Sequence, residues 1–360
     1  VTISTLYERL DAIVDKIGPL DERAMAATES RQQALTKPPG SLGRLEELSI
    51  QLAGITGQAL PALRHKVVIT MAGDHGVVAE GVSAYPQEVT PQMVINFLNG
   101  GAAINVLARH AGARVVIVDM GVAANLDSHP GLVHQKVAPG TQNMARGPAM
   151  SREQALRSLL AGAEVVEGEL EHGLDIVGTG DMGIGNTTPS AAIAAAMSGR
   201  PASEIVGRGT GVDEAGLACK VAVVERALAT NRPDPDDALD VLAKVGGFEI
   251  GGLAGAILAA AAHRRPVMVD GFISTAAAMI AVGLAPNVQR YLIAAHRSQE
   301  HGHQLMLEWL GLRPLVDLDL RLGEGTGAAL GFFLAEAACK VLAEMATFAE
   351  AGVSTGDGER

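Results

Sequence analysis

Five short apolar runs, each ending in glycine, aspartate or histidine, constrain this chain more than any other feature. They are Val67-Val68-Ile69-Thr70 before Gly73-Asp74-His75-Gly76, Val115-Val116-Ile117-Val118 before Asp119-Met120-Gly121, and Asp175-Ile176-Val177 before Gly178-Thr179-Gly180-Asp181. Val267-Met268-Val269 before Asp270-Gly271 and Tyr291-Leu292-Ile293 before Ala295-His296-Arg297-Ser298 complete the set. Helix-like segments separate them. A strand apolar on both faces must be covered on both faces, and helical crossovers between parallel strands do this. The expected fold class is α/β: a parallel Rossmann-like sheet flanked by helices. Ligands of such sheets bind outside the carboxyl ends of the strands. The glycines and polar residues fall there, which favours an enzyme over a scaffold.

Residues 4–57 read as helical, with Leu42, Leu45, Leu48, Leu52 and Ile55 on one face. Helix returns at about 326–350, and a polar tail from Ser354 to Arg360 is expected to be disordered. The expected division is therefore a large α/β substrate-binding domain at 61–325. A small discontinuous helical domain would be built from 1–60 and 326–360. With 360 residues there is ample chain for both. Aromatics are 3% against 48% apolar residues overall, so alanine and glycine must carry much of the packing. A formal net charge of -12 argues against a nucleic-acid partner. Cys219 and Cys339 give neither a disulfide framework nor a metal spacing, and read as small core residues. Val1-Thr2-Ile3-Ser4 does not resemble a leader, and the longest uncharged apolar run, 250–262, is too short to span a bilayer. A cytoplasmic protein without a membrane partner is expected.

Gly178-Thr179-Gly180-Asp181-Met182-Gly183 has the spacing of a dinucleotide loop, which would suit an NAD-dependent dehydrogenase. The acidic residue that should end the next strand is missing, because Glu204 precedes Ile205-Val206. A longer reading, from Gly180 through Gly183-Ile184-Gly185-Asn186 to a helix near Pro189, gives bare amides beside a helix N-terminus. That is an anion site, and without a Gly-Lys-Ser/Thr it suits one phosphate monoester; a plain structural turn is the alternative. A second glycine loop, 207–213, precedes a helix carrying Lys220, which could serve the same phosphate. From sequence alone Lys220 reads more simply as a solvated surface lysine. Asp74-His75 suits acid/base work or a loop held by side-chain hydrogen bonds. His75, Asp119 and His296 lack a diagnostic metal spacing, so no metal or other cofactor is expected. Ser298 and His296 could hydrogen-bond a ligand.

Arg321-Leu322-Gly323-Glu324-Gly325-Thr326-Gly327-Ala328 sets one carboxylate among glycines just before a long helix. Glu324 either caps that helix or faces a ligand, and local reasoning leaves both open.

Several stretches run in order over nearly the whole chain. They include Lys37-Pro38-Pro39-Gly40-Ser41-Leu42-Gly43, Gly73-Asp74-His75-Gly76 through Val89-Thr90, and Gly100-Gly101-Ala102-Ala103-Ile104-Asn105-Val106-Leu107. Met182-Gly183-Ile184-Gly185-Asn186-Thr187-Thr188-Pro189, Lys244-Val245-Gly246-Gly247-Phe248, Asp270-Gly271-Phe272 and Arg321-Leu322-Gly323-Glu324-Gly325 follow. In these the chain resembles the nicotinate-nucleotide–dimethylbenzimidazole phosphoribosyltransferase family. The resemblance implies two small-molecule substrates, nicotinate mononucleotide and 5,6-dimethylbenzimidazole, and a homodimer. It implies Glu324 as catalytic base, helped by Asp181 where some members carry Glu. It implies phosphate contacts from Gly183, Ile184, Gly185, Asn186, Lys220 and Ser298. It places the aromatic base near Tyr85, Gln92, Leu322 and Gly323. Apart from the resemblance, a non-catalytic nucleotide-binding protein remains a reading of the same loops.

Overall fold

The five apolar runs become strands of one sheet in the computed structural model, which describes residues 2–209 and 211–354. Thr210 and the tail from 355 lie outside the described residues. The strands are β1 (Lys66–Gly73), β2 (Ala113–Gly121), β3 (Leu132–His134), β4 (Ile176–Met182), β5 (Val267–Val269) and β6 (Leu292–Ala294). They lie in the order β3-β2-β1-β4-β5-β6, and every pairing is parallel. β3 was not among the expected runs, because three residues are too few to show as one. Val68 pairs with Val115 on one side and Gly178 on the other, so β1 is central and fully buried. Connectivity reverses between β1 and β4, and this opens a crevice at their carboxyl ends. A further pair, β7 (His296–Arg297) and β8 (Val316–Asp317), extends that edge.

The helices are α1 (Ile3–Val14), α2 (Glu22–Ala34), α3 (Arg44–Thr56), α4 (Val89–Leu98), α5 (Ala103–Ala111), α6 (Arg152–Glu171), α7 (Thr187–Ser198), α8 (Ala202–Ile205) and α9 (Glu214–Asn231). α10 (Ala238–Val245), α11 (Phe248–Ala262), α12 (Phe272–Leu284), α13 (His303–Trp309), α14 (Thr326–Glu344) and α15 (Phe348–Ala351) follow. Residues alternate between faces along each strand. Val67, Ile69 and Met71 of β1 enter the core shared with α6, α11 and α12. Val68 and Ala72 enter the opposite core, with Leu48 and Leu52 of α3, Ile104 of α5, and Ala328 and Phe332 of α14.

Helices from both chain ends do meet. Arg31 Nε donates to Leu342 O at 2.6 Å, Thr36 N donates to Ala346 O at 3.0 Å, and Leu35 bridges Thr347. Two of these helices also pack elsewhere. α14 shares its core with β1 and β4, because Gly178 leaves room for Phe332 and Ala328 against the strand. α1 lies on the other face against α6, where Arg9 pairs with Glu164 at 2.7 Å. Among the described residues one helix, α14, is long and apolar enough to cross a membrane, and 56% of its apolar window is buried in this core.

The low aromatic content shows its use where α6 crosses α11. A Cβ on Gly162 would collide with the carbonyl of Gly252, and one on Gly255 with the carbonyl of Leu159. Backbone therefore meets backbone, and both neighbours are rigid. Gly255→Ala should lower stability by about 1–3 kcal/mol, since overpacking outweighs the gain of about 1 kcal/mol in helix propensity. Chemical denaturation measures this; a stabilised variant would show that the two helices can part.

Candidate active site

Gly323, Glu324 and Gly325 are all left-handed, with φ of 84°, 63° and 96°. Glycine adopts this freely, but at Glu324 it costs about 1–2 kcal/mol, so the surroundings must hold it. Thr70 Oγ1, on β1, donates to the Glu324 carbonyl at 2.9 Å. Gly180 of β4 lies directly beneath, and a Cβ there would collide with that carbonyl. Asp270, just past β5, accepts from Gly325 N at 3.1 Å and from Ala328 N at 3.0 Å. Asp270 therefore caps α14. The Glu324 side chain turns away from its own helix, and Oε2 accepts from Ile104 N, in the first turn of α5, at 3.3 Å. It is 5% exposed. Burial raises its pKa, the Ile104 amide opposes this, and the charge of Asp270 adds to the rise.

Asp181, near the end of β4, is a second buried carboxylate. A Cβ on Gly323 would stand 3.2 Å from both of its oxygens, so the two acidic residues share one corner. Asn186 Nδ2 donates to Asp181 Oδ2 at 2.9 Å. Burial, with the nearby charges of Asp270, Glu249 and Glu324, holds the Asp181 carboxyl well above its usual range, and Asn186 offsets part of this. Asp181 thus keeps its proton to higher pH than a free carboxyl does.

The glycine loop follows at once. Gly183 packs over the carbonyl of Gly73 at the end of β1, and Gly185 is left-handed with φ 85°. Ile184 N donates to Thr90 Oγ1, on α4, at 3.1 Å. α7 begins at Thr187, two residues before Pro189. Lys220 corrects the surface reading: it is 1% exposed. Its Nζ donates to Thr187 Oγ1 at 2.9 Å and to Gly207 O at 3.0 Å, joining the two glycine loops. Helical periodicity did not reveal this because the partner loops lie outside α9. Burial lowers the Lys220 pKa to about 8, against the opposing charge of Glu300. Ser298 is buried in the same region; its N donates to His303 Nδ1 at 2.8 Å and its Oγ accepts from Glu300 N at 3.3 Å. A cavity of about 480 Å³ opens here, lined by Gly207, Arg208, Gly209, Glu300 and Arg321.

The remaining site candidates stand open. Tyr85 is 53% exposed before α4, Gln92 is exposed on α4, and Leu322 is 57% exposed beside Gly323. Their segments are tied to the corner through Thr90 and Ile104.

His75, Asp119 and His296 go to separate partners. His75 Nε2 lies 2.8 Å from Glu249 Oε1. Burial favours the neutral His75 ring, yet Glu249 outweighs this and raises its pKa. Asp119 lies 3.2 Å from Lys136 Nζ, and His296 lies 3.7 Å from Asp270. Among the described residues no group of three or more His, Cys, Asp and Glu could hold a metal ion. Asp74 shapes a loop by accepting from Ala123 N at 2.8 Å.

Sequence reasoning assigned no role to Asp270, Glu249, Thr90 or Ile104. Asp270 carried a signal, as the residue ending an apolar run. Glu249 carried a weaker one, as the charge at the head of the 250–262 run. Thr90 and Ile104 act across 94 and 220 residues, and nothing local marks them.

A parallel sheet with a glycine-rich loop and a buried acidic corner at its carboxyl edge has the architecture of an α/β enzyme. The chain matches the family described as Phosphoribosyltransferase over residues 17–353. A nicotinate-nucleotide–dimethylbenzimidazole phosphoribosyltransferase of Roseiflexus sp. (strain RS-1) is 64% identical over 345 residues, 96% of this chain and 98% of that one. That of Geobacter sulfurreducens is 57% identical, over 97% of this chain and 99% of its own. The crystal structure of CobT from Thermus thermophilus is 52% identical, with a TM-score of 0.90, covering 93% of this chain and 100% of that one. The chain belongs to the nicotinate-nucleotide–dimethylbenzimidazole phosphoribosyltransferase family. Neither the dehydrogenase nor the non-catalytic reading is supported. Gly178 and Gly180 lie inside β4, where they admit α14 and the Glu324 carbonyl rather than a pyrophosphate.

If the Lys220 ammonium serves an anion, ribose 5-phosphate should bind well below pH 8 and more weakly as the pH rises through it. Lys220→Ala should weaken binding and flatten that dependence. Calorimetric titration across pH 6–9 reads both; wild-type affinity that ignores pH would remove Lys220 from the anion site.

Proposed function

We propose that the acidic corner at Glu324 and the loop at residues 183–186 divide the family's reaction between them. The enzyme transfers the 5-phosphoribosyl group from nicotinate mononucleotide to 5,6-dimethylbenzimidazole, giving α-ribazole 5′-phosphate and nicotinate, in cobalamin lower-ligand synthesis. One azole nitrogen attacks C1′ while nicotinate departs. The pyridinium nitrogen leaves as a neutral ring nitrogen, so the leaving group needs no protonation at that atom. Attack from the opposite face turns a β-nucleotide into an α-nucleotide. Positive charge grows on the azole as it attacks, and its other N–H becomes acidic. Glu324 takes that proton.

The observation that carries this reading is the placement of Glu324. It is buried, turned away from its own helix, and raised in pKa. A partly desolvated carboxylate of this kind is a better base than a solvated one. Asp181 supports it as a neighbour whose buried carboxyl is held well above its usual range, so that it binds its own proton more tightly than a free carboxyl does. Gly183, Ile184, Gly185 and Asn186 offer a bare loop at a helix N-terminus for the 5′-phosphate, with Lys220 as counter-charge and Ser298 beside it. Tyr85, Gln92, Leu322 and Gly323 offer the open wall for the aromatic base. The two substrates are thus held in line, and the catalysis is largely positional.

Glu324→Gln should fold normally and lose about 10²–10⁴ in turnover. In the wild type, kcat should fall as the pH drops through a Glu324 pKa lying above the usual carboxylate range. Chromatography of α-ribazole 5′-phosphate formed at a series of pH values reads both. Full turnover with an unchanged profile would remove Glu324 from the chemistry.

The chain acts as a homodimer in this proposal. Half-exposed apolar residues support it: Val106 on α5 and Phe333 on α14, where Phe333 lies 4.9 Å from the His110 ring. Sedimentation should give twice the chain mass, and Phe333→Glu should move it towards one; a wild-type monomer ends the idea.

A further inference from the structure

We propose that Asp270 is a positioning residue for this reaction: it sets the turn that presents Glu324, and its charge sets how readily Glu324 takes up a proton. The second half rests on the reading of Glu324 as the base.

Asp270 stands at the end of β5 and is buried. Its own N–H donates to Thr179 Oγ1, on β4, at 3.2 Å. Its two carboxylate oxygens divide between two amides, Gly325 N on Oδ2 and Ala328 N on Oδ1. A single residue therefore ties the turn, through its carboxylate, to the end of β5 and, through its own N–H, to β4. Gly325 follows Glu324 directly, so the bond to its amide fixes one end of the left-handed turn. That turn is what faces the Glu324 side chain towards α5.

The fit is built from missing side chains. A Cβ on Gly327 would stand 2.8 Å from Asp270 Oδ1 and would collide with the His296 ring. α14 thus rests its first turn directly on the Asp270–His296 pair. A cap alone needs amide bonds. It does not need a full charge next to two further carboxylates.

The groups facing Asp270 come from four elements. His296 of β7 stands 3.7 Å from Oδ1. His303 of α13 lies behind it, ring centroids 6.2 Å apart; burial and the charge of His296 lower its pKa to about 3, so it stays neutral. Asp181 of β4 and Glu324 of the turn are the other acidic groups, and the charge of Asp270 raises the pKa of each. Burial pushes the Asp270 carboxyl up as well, while His296 and the amides of residues 325, 327 and 328 draw it back towards the ionised form. Negative charge on Asp270 disfavours the ionisation of Glu324 and strengthens it as a proton acceptor.

The test is kcat against pH for wild type, D270N and D270E, with KM for nicotinate mononucleotide at each pH. D270N keeps the shape and removes the charge. It should lower kcat roughly tenfold to hundredfold through a misplaced base. KM for nicotinate mononucleotide should stay within about threefold, because the phosphate end is untouched. The acidic limb should move to lower pH, since Glu324 then ionises more easily. D270E restores the charge without the bond geometry; its limb should return towards wild type while kcat stays low. A limb that D270N leaves in place, or a KM that rises as kcat falls, overturns the proposal. An E324Q enzyme that retains the limb overturns the base assignment and this proposal with it. A limb that vanishes in E324Q but ignores Asp270 overturns this one alone. Hydrogen exchange of the wild-type 323–329 peptide decides the turn without any variant: protection is expected, and free exchange overturns it.

Discussion

The turn at residues 323–325 sits on the sheet over Gly180, which has no side chain, and the acidic corner depends on that seat. Gly180 has no Cβ, so the Glu324 carbonyl reaches down to the Thr70 hydroxyl between β1 and β4. That contact fixes where α14 starts, and α14 then fills the face of the sheet with Ala328 and Phe332. The same contact aims Glu324 at α5 and brings Gly323 against Asp181. The left-handed Glu324 is a strained residue held by its surroundings, and strain of this kind gathers at functional sites.

Charge is distributed unevenly along this edge. Asp270 and Glu249 each have a histidine nearby, at 3.7 and 2.8 Å. Asp181 and Glu324 are met by the Asn186 amide and the Ile104 N–H, which are neutral donors. Burial therefore acts on these two with little compensation, and both hold protons more tightly than free carboxyls do. Lys220 is the mirror case, a buried cation whose pKa falls to about 8 at the other end of the loops.

Much of this was legible in the chain. β1, β2, β4, β5 and β6 were visible because a strand buried on both faces must be apolar throughout. The candidate site was visible because glycines and acids collect at strand ends. Its neighbours in the chain alone left the role of Glu324 open. Whether a carboxylate beside a helix caps it depends on where the side chain turns, and the cap of α14 came from Asp270, 55 residues away. Lys220 read as a surface residue because nothing within a few positions of it reveals Thr187 or Gly207. The glycine spacing at residues 178–183 suggested a nucleotide loop, whereas inside β4 Gly178 admits α14 and Gly180 the Glu324 carbonyl.

The sequence by itself determined the alternation of strands and helices, the edge on which glycines and polar groups collect, and which residues carry reactive groups. Those follow from side-chain period and backbone freedom, which are local properties. The tertiary structure alone decided which groups meet. It put Glu324 against Ile104 and Gly180, Lys220 under the second glycine loop, and His75 against Glu249. Their proton affinities followed from that placement, because burial and neighbouring charge exist only after the chain has closed on itself.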